Sequence, residues 1–181
     1  MAGWFQSVTD LQSQAETLRV RRYGVIEARD ARFRRVSLRP FPKIASVPEV
    51  FLFGGWYHRL VPGDRCWLYY NQPRRFPDFL AVKCFLSARD TRLATVHRVL
   101  ETLDEIARIK GSDALLCDVA NWRISTAIMS RWGWEPHCPS PWHRHFIRRF
   151  YGKYPSQGGE LPQERGQASE SEGLGEPLLT R

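Results

Sequence analysis

The chain has no long apolar run. No stretch approaches the roughly 20 uncharged apolar residues that a membrane helix needs, and the first residues lack the apolar block of a secretory signal. A cytoplasmic protein with no membrane contact is therefore expected. Cysteine is scarce too: the four, Cys66, Cys84, Cys117 and Cys138, lie far apart. Two of them sit in apolar strand-like runs, where a small hydrophobe is welcome, so reduced thiols are expected rather than a disulfide framework. Zinc-finger spacing, RNP-type aromatic strands and Gly-rich single-strand binding repeats are all missing. Acid is outnumbered, with 19 Asp and Glu against 27 Lys and Arg among 181 residues.

The resulting net charge of +8 is uneven. Residues 153–181 carry three basic and five acidic side chains, which leaves the body near +10. This tail, rich in Gly, Pro, Ser, Gln and Glu, buries too little apolar surface to offset its ordering entropy, and disorder is expected from about residue 153. Arginine dominates the body, in pairs such as Arg21-Arg22, Arg34-Arg35, Arg74-Arg75 and Arg148-Arg149. Such a face suits an anionic partner, which nucleic acid, a phosphorylated cofactor and an acidic protein each satisfy. It also suits a solvated surface with no partner at all.

What is present is a change of pattern at mid-chain. Val8 to Leu18 reads as a short polar helix. "RRYGVIEARD" and "FRRVSLRPF" alternate apolar with charged residues, as strands of a hairpin or meander do. The aromatic stretch from Ile44 to Tyr70 is broken by Pro48, Gly54-Gly55 and the turn signal "VPGDR", with a strand in "CWLYYN". Beyond "NQPRRFPD" the rhythm becomes regular. "FLAVKCFLS", Phe79 to Ser87, is nearly continuously apolar, as a central strand covered on both faces would be. "VHRVLETLDEIARIKG" sets Val96, Val99, Leu100, Leu103, Ile106 and Ala107 on one helical stripe, with Arg98, Glu101, Glu105 and Arg108 outside. Thr95 is placed to cap its start and Gly111 its end. "DALLCDVAN" is a second buried strand, "RISTAIMSRW" a second helix ending at Gly133, and "EPHCPSPWHRHFIRRF" an extended finish.

Strand, helix, strand, helix, strand makes an α/β (α+β) chain with an open mixed sheet flanked by helices, a single domain over residues 1–152. Ligands in such sheets sit beyond the carboxyl ends of strands, at helix N-termini. The loops to watch are Ser87 to Thr95 and Ala120 to Ile124.

Over residues 79–150 the order and spacing of these segments resemble the carboxy-terminal half of the GNAT superfamily of N-acetyltransferases. That family sets a cofactor loop of the form Arg/Gln-x-x-Gly-x-Gly/Ala between a central strand and a helix. A second strand, an Asn, a further helix and a Gly-aromatic pair follow. "RDTRLA", Arg89 to Ala94, stands in the loop position, with Arg92 where the family has its middle Gly; Asn121 and Gly133-Trp134 match the later features. The resemblance implies acetyl-CoA as cofactor and an amine as acceptor, with Leu86, Arg89, Arg92, Leu93, Ala94, Thr95 and Asn121 at the cofactor. It supplies no catalytic residue, because Met129 stands where the family's general-acid Tyr would be and "FLAVKCFLS" holds no carboxylate. The implied function is that of a divergent N-acyltransferase; the reading from another class is a non-catalytic basic module for nucleic acid or an acidic protein.

The same residues also have plainer readings: Arg89 and Arg92 as loop arginines, Asn121 as a helix N-cap, Gly133 as a C-cap, Trp132 and Trp134 as packing. His137, Cys138, His143 and His145 fall within nine residues, but match no closed zinc spacing, and adjacent His137 and Cys138 would point apart on a strand. No metal is expected there. His58 and His97 read as ordinary histidines.

Overall fold

A computed structural model describes residues 6–42, 62–119, 125–138 and 144–155. Its strands are β1 (Gln6–Val8), β2 (Tyr23–Arg29), β3 (Arg32–Arg39), β4 (Arg65–Asn71), β5 (Phe79–Ser87), β6 (Ala114–Asp118), β7 (Glu135–Pro136) and β8 (His145–Arg149). The described helices are α1 (Ala15–Val20), α2 (Leu93–Lys110) and α3 (Thr126–Arg131). The strands form one sheet in the order β1-β3-β2-β4-β5-β6-β8-β7. Every pairing is antiparallel except β5 with β6, whose parallel register requires the crossover that α2 supplies. The molecule is thus mixed α+β, with the strand–helix–strand–helix order expected of residues 79–150, closed by the two strands β7 and β8 where one extended segment was expected.

Period-two alternation builds the first half. β2 and β3 are joined by Asp30 and Ala31, both at positive φ (54° and 56°), the combination that two-residue hairpin turns need. Ala31 gains nothing locally from that conformation. Its N–H donates to Thr95 Oγ1 at 2.8 Å, so a contact from α2 holds the turn.

One face of the sheet carries the core. Ile26, Val36, Leu68, Leu80 and Leu115 are fully buried, and from α2 so are Val99, Leu103, Ile106 and Ala107. Burying each such aliphatic side chain contributes about 1.5–3 kcal/mol. α2 packs across β2, β3 and β4, and α1 packs on α2 through the buried Leu18. Gly111 ends α2 in the left-handed region (φ 67°), its N–H returning to the last helical carbonyls as expected of a C-cap.

Four expectations are corrected. Val8 belongs to a strand that pairs with Val36, and the helix read from Val8 begins only at Ala15, after a turn that Asp10 and Gln14 side chains hold. The cap of α2 is Arg92 rather than Thr95, which lies buried within the first turn. Glu105 is buried, not outward, because Gln12 and Arg108 enclose its carboxylate. β5 is central in the sheet but not covered on both faces: Leu80 and Cys84 are buried, whereas Val82, Phe85 and Leu86 are half-buried.

In the last segment β7 and β8 pair as a hairpin. The chain's contacts run on to Tyr154, whose ring meets Phe150 at 4.9 Å and whose hydroxyl donates to Ser112 O at 2.9 Å.

Candidate functional site

The half-exposure of β5 has a structural cause. β5 pairs with β6 only from Phe79 to Val82, where Val82 faces Cys117, although β5 runs on to Ser87 and β6 ends one residue later at Asp118. At that point Lys83 is an extra residue on β5: Tyr69 faces Cys84 and Tyr70 faces Val82, with no partner for Lys83 between them. Such a bulge increases local twist and turns the strand away from its neighbour. The two parallel strands therefore part, and no described strand pairs with β5 beyond Val82 on the β6 side.

The parting opens a cleft of about 370 Å³. Val82, Cys84 and Phe85 wall it on β5, Cys117 on β6 and Val119 just after it, Val96 and Leu100 on α2. Met129, Trp132 and Trp134 close it from α3 and the turn that follows. The lining is mostly apolar, with Lys83, Ser87 and Asp118 as its polar members. Ser125 holds α3 in place, its side chain accepting from Ile128 N–H at 3.2 Å, so the N-cap proposed for Asn121 falls to Ser125. Gly133 follows α3 at φ 76°, as its C-cap reading requires.

Cys84 is buried and Cys117 half-buried. Burial first, then the neighbouring Asp118, pushes the Cys117 thiol up to about 12. A thiol so disposed is protonated at neutral pH and is no nucleophile. Cys117 therefore contributes wall rather than a covalent group.

Leu93 opens both the cleft and α2. At that N-terminus Thr95 and Val96 N–H groups return to Arg92 O, and Arg92 N–H donates to Asp64 Oδ1 at 3.0 Å. The amides of Leu93 and Ala94 are those the first turn leaves over. Of the seven expected cofactor residues, Leu93 lines the cleft; Ala94 and Thr95 continue the first turn; Arg89 and Arg92 are exposed in the loop before it; Leu86 is half-buried near the end of β5. Asn121 lies outside the described residues, as do His58 and His143. Thr95 spends its hydroxyl on the Ala31 turn.

That Val96, Leu100, Cys84, Cys117, Trp132 and Trp134 wall a cleft is not legible in the sequence, since strand parting depends on register across β4, β5 and β6. Their only signal was that Val96 and Leu100 sit at one edge of the α2 stripe.

Outside the cleft, Cys138 has φ 47°, which brings its Sγ to 3.3 Å from His137 Nε2 instead of pointing it away. No cluster of metal-ligating side chains occurs among the described residues. Nor is any described helix long and apolar enough to cross a membrane.

No protein-family model matches the chain, and no curated relative matches it. Among solved structures, the chain is similar to a crystal structure of nourseothricin acetyltransferase, with 13% identity over 81% of this chain and 99% of that one and a TM-score of 0.39.

Proposed function

We propose that the cleft between β5 and β6 receives the acyl-thioester arm of acetyl-CoA and that the protein is a divergent GNAT-like N-acyltransferase acting on an amine. The observation that carries this reading is the parting of two parallel strands at a bulge, directly beside the N-terminus of a long helix. An apolar slot where two parallel strands part suits a pantetheine arm, which is slender and carries amide groups that pair with backbone.

The bound thioester supplies an activated acyl carbon: the amine nitrogen forms the new C–N bond, the C–S bond breaks, and the proton lost by nitrogen ends on the leaving sulfur through water. The chain's own contribution is placement. An amide of β5 that faces away from β4 near the bulge would be a fixed donor for a carbonyl oxygen that gains negative charge, at no cost of reorganisation. Met129, Trp132 and Trp134 exclude water from the slot. Neither Met129 nor the protonated Cys117 exchanges a proton near neutral pH, so direct transfer fits the site better than an acyl-enzyme.

The test is the thermal shift of the full chain with millimolar acetyl-CoA. Ligand at about 100 times its dissociation constant adds roughly 2.7 kcal/mol, a rise of several degrees for a domain of this size. A saturable rise supports the reading. An unmoved melting temperature at millimolar ligand removes it, and salt-dependent binding of an oligonucleotide instead would favour the basic-module reading.

A further inference from the structure

The place where a thioester cofactor's diphosphate would meet the helix is partly taken by the chain itself. Asp64, from the turn before β4, is 6% exposed at its side chain. Its Oδ1 accepts the N–H of Arg92, the cap of α2, at 3.0 Å. Its Oδ2 is buried with no hydrogen-bond partner among the described residues, the nearest cation being Arg92 Nε at 3.8 Å on a side chain 80% exposed. Two further bonds fix the turn to its surroundings: Asp64 O accepts Asp30 N–H at 3.0 Å, and Asp90 Oδ2 accepts Gly63 N–H at 3.1 Å. Thr91 Oγ1 reaches Arg65 O at 2.6 Å, which ties the loop to β4 as well.

Helix N-termini attract anions because their amides are unpaired and their dipole is positive. Here a carboxylate already sits on the N–H of the cap residue, beside the leftover amides of Leu93 and Ala94. Asp64 and Asp90 offset two of the positive charges that Arg65, Arg89 and Arg92 bring to this end of the helix. A buried charge acts through a low dielectric and is little screened by salt, whereas the exposed Asp90, Arg89 and Arg92 are screened. Asp64 therefore opposes a second anion at short range with little screening by salt.

Resting on the acyl-thioester reading of the cleft, we infer that Asp64 is a specificity-determining residue: it substitutes for phosphate at the N-terminus of α2, so the site recognises its donor by the pantetheine arm and discriminates against the nucleotide diphosphate. The donor class is then the acyl-pantetheine thioester, with the nucleotide of acetyl-CoA contributing little.

Calorimetric titration of the full chain with acetyl-CoA, S-acetylpantetheine and 3′,5′-ADP separates these contributions. In the wild type the two thioesters should bind within about tenfold of one another and the nucleotide only feebly. Asp64→Asn keeps an acceptor for Arg92 N–H but removes the charge; it should tighten 3′,5′-ADP and acetyl-CoA at least about fivefold and leave S-acetylpantetheine within about twofold. Glu16→Gln, altering an exposed carboxylate on α1, should leave all three within about twofold. If Asp64→Asn does not fold, Asp64→Ser carries the same expectation. S-acetylpantetheine binding with 3′,5′-ADP unchanged in the neutral variant overturns the inference while the cleft reading stands. Failure of both thioesters in every variant removes the cleft reading and this inference with it.

Discussion

Arg148 on β8 reaches Asp104 on α2, Nη1 lying 3.0 Å from Oδ2, and both side chains are largely buried. Asp104 Oδ1 has no partner among the described residues. The pair joins the last strand to the helix that walls the cleft, and it also makes the fold sensitive to pH. Burial pushes the Asp104 carboxyl up to about 7; Arg148 pulls the other way and Glu101 adds a like charge. The unfolded chain releases this proton near 3.8, so between that pH and 7 the folded state alone holds it. The contribution is full at low pH and is lost as pH rises through 7. We expect the wild type to be less stable at pH 8 than at pH 5.5 by about 1–2 kcal/mol from this group, and Asp104→Asn to flatten that part of the profile. Denaturant titration at several pH values reads it directly.

Gly24 is required by Tyr70. The two residues face each other across β2 and β4, and a Cβ on Gly24 would lie 2.6 Å from Tyr70 Oη. Gly24→Ala should therefore cost about 1–3 kcal/mol. The Tyr70 hydroxyl is fully buried with no partner among the described residues. Tyr70→Phe should be neutral or stabilising, by up to about 1 kcal/mol, and should recover part of the loss when combined with Gly24→Ala. Thermal melts of the four proteins check the cycle.

Lys110 ends α2 and fastens the α1–β2 connection. Its Nζ donates to Arg21 O at 2.7 Å, Gln72 Oε1 at 3.1 Å and Arg19 O at 3.3 Å. Burial, with Arg22 nearby, brings the ammonium down to about 8. Lys110→Met keeps the stem and strands these acceptors, so a loss of about 2 kcal/mol is expected. A melting temperature equal to the wild type would show that the acceptors find other donors.

Ser125 supplies the one side-chain cap found for α3. Ser125→Ala should cost about 1 kcal/mol and loosen the Met129 wall of the cleft, which a weaker thioester affinity would report.

The regular elements were legible because local pattern and packing agree. Phe79–Ser87 reads as a strand from its apolar run, Gly111 as a stop from its freedom at positive φ, and the Leu103–Ile106–Ala107 stripe as the buried side of α2. What was hidden depends on residues remote in sequence. Val8 is a strand residue because Val36 pairs with it, 28 positions away. Glu105 is buried because Gln12 comes to meet it. "VPGDR" announces a turn but not that Asp64 will reach the cap of α2. The cleft itself arises from one unpartnered residue, Lys83, whose role exists only once β4, β5 and β6 are in register.

The most direct test is calorimetric binding of S-acetylpantetheine and acetyl-CoA to the wild type and to Val96→Phe, which adds bulk to the cleft wall from the α2 side. The account predicts saturable binding of both thioesters by the wild type, and at least about tenfold weaker binding by a Val96→Phe protein that melts normally. Equal binding by the two proteins, or none by the wild type, would contradict the assignment of this cleft as the acyl-thioester site.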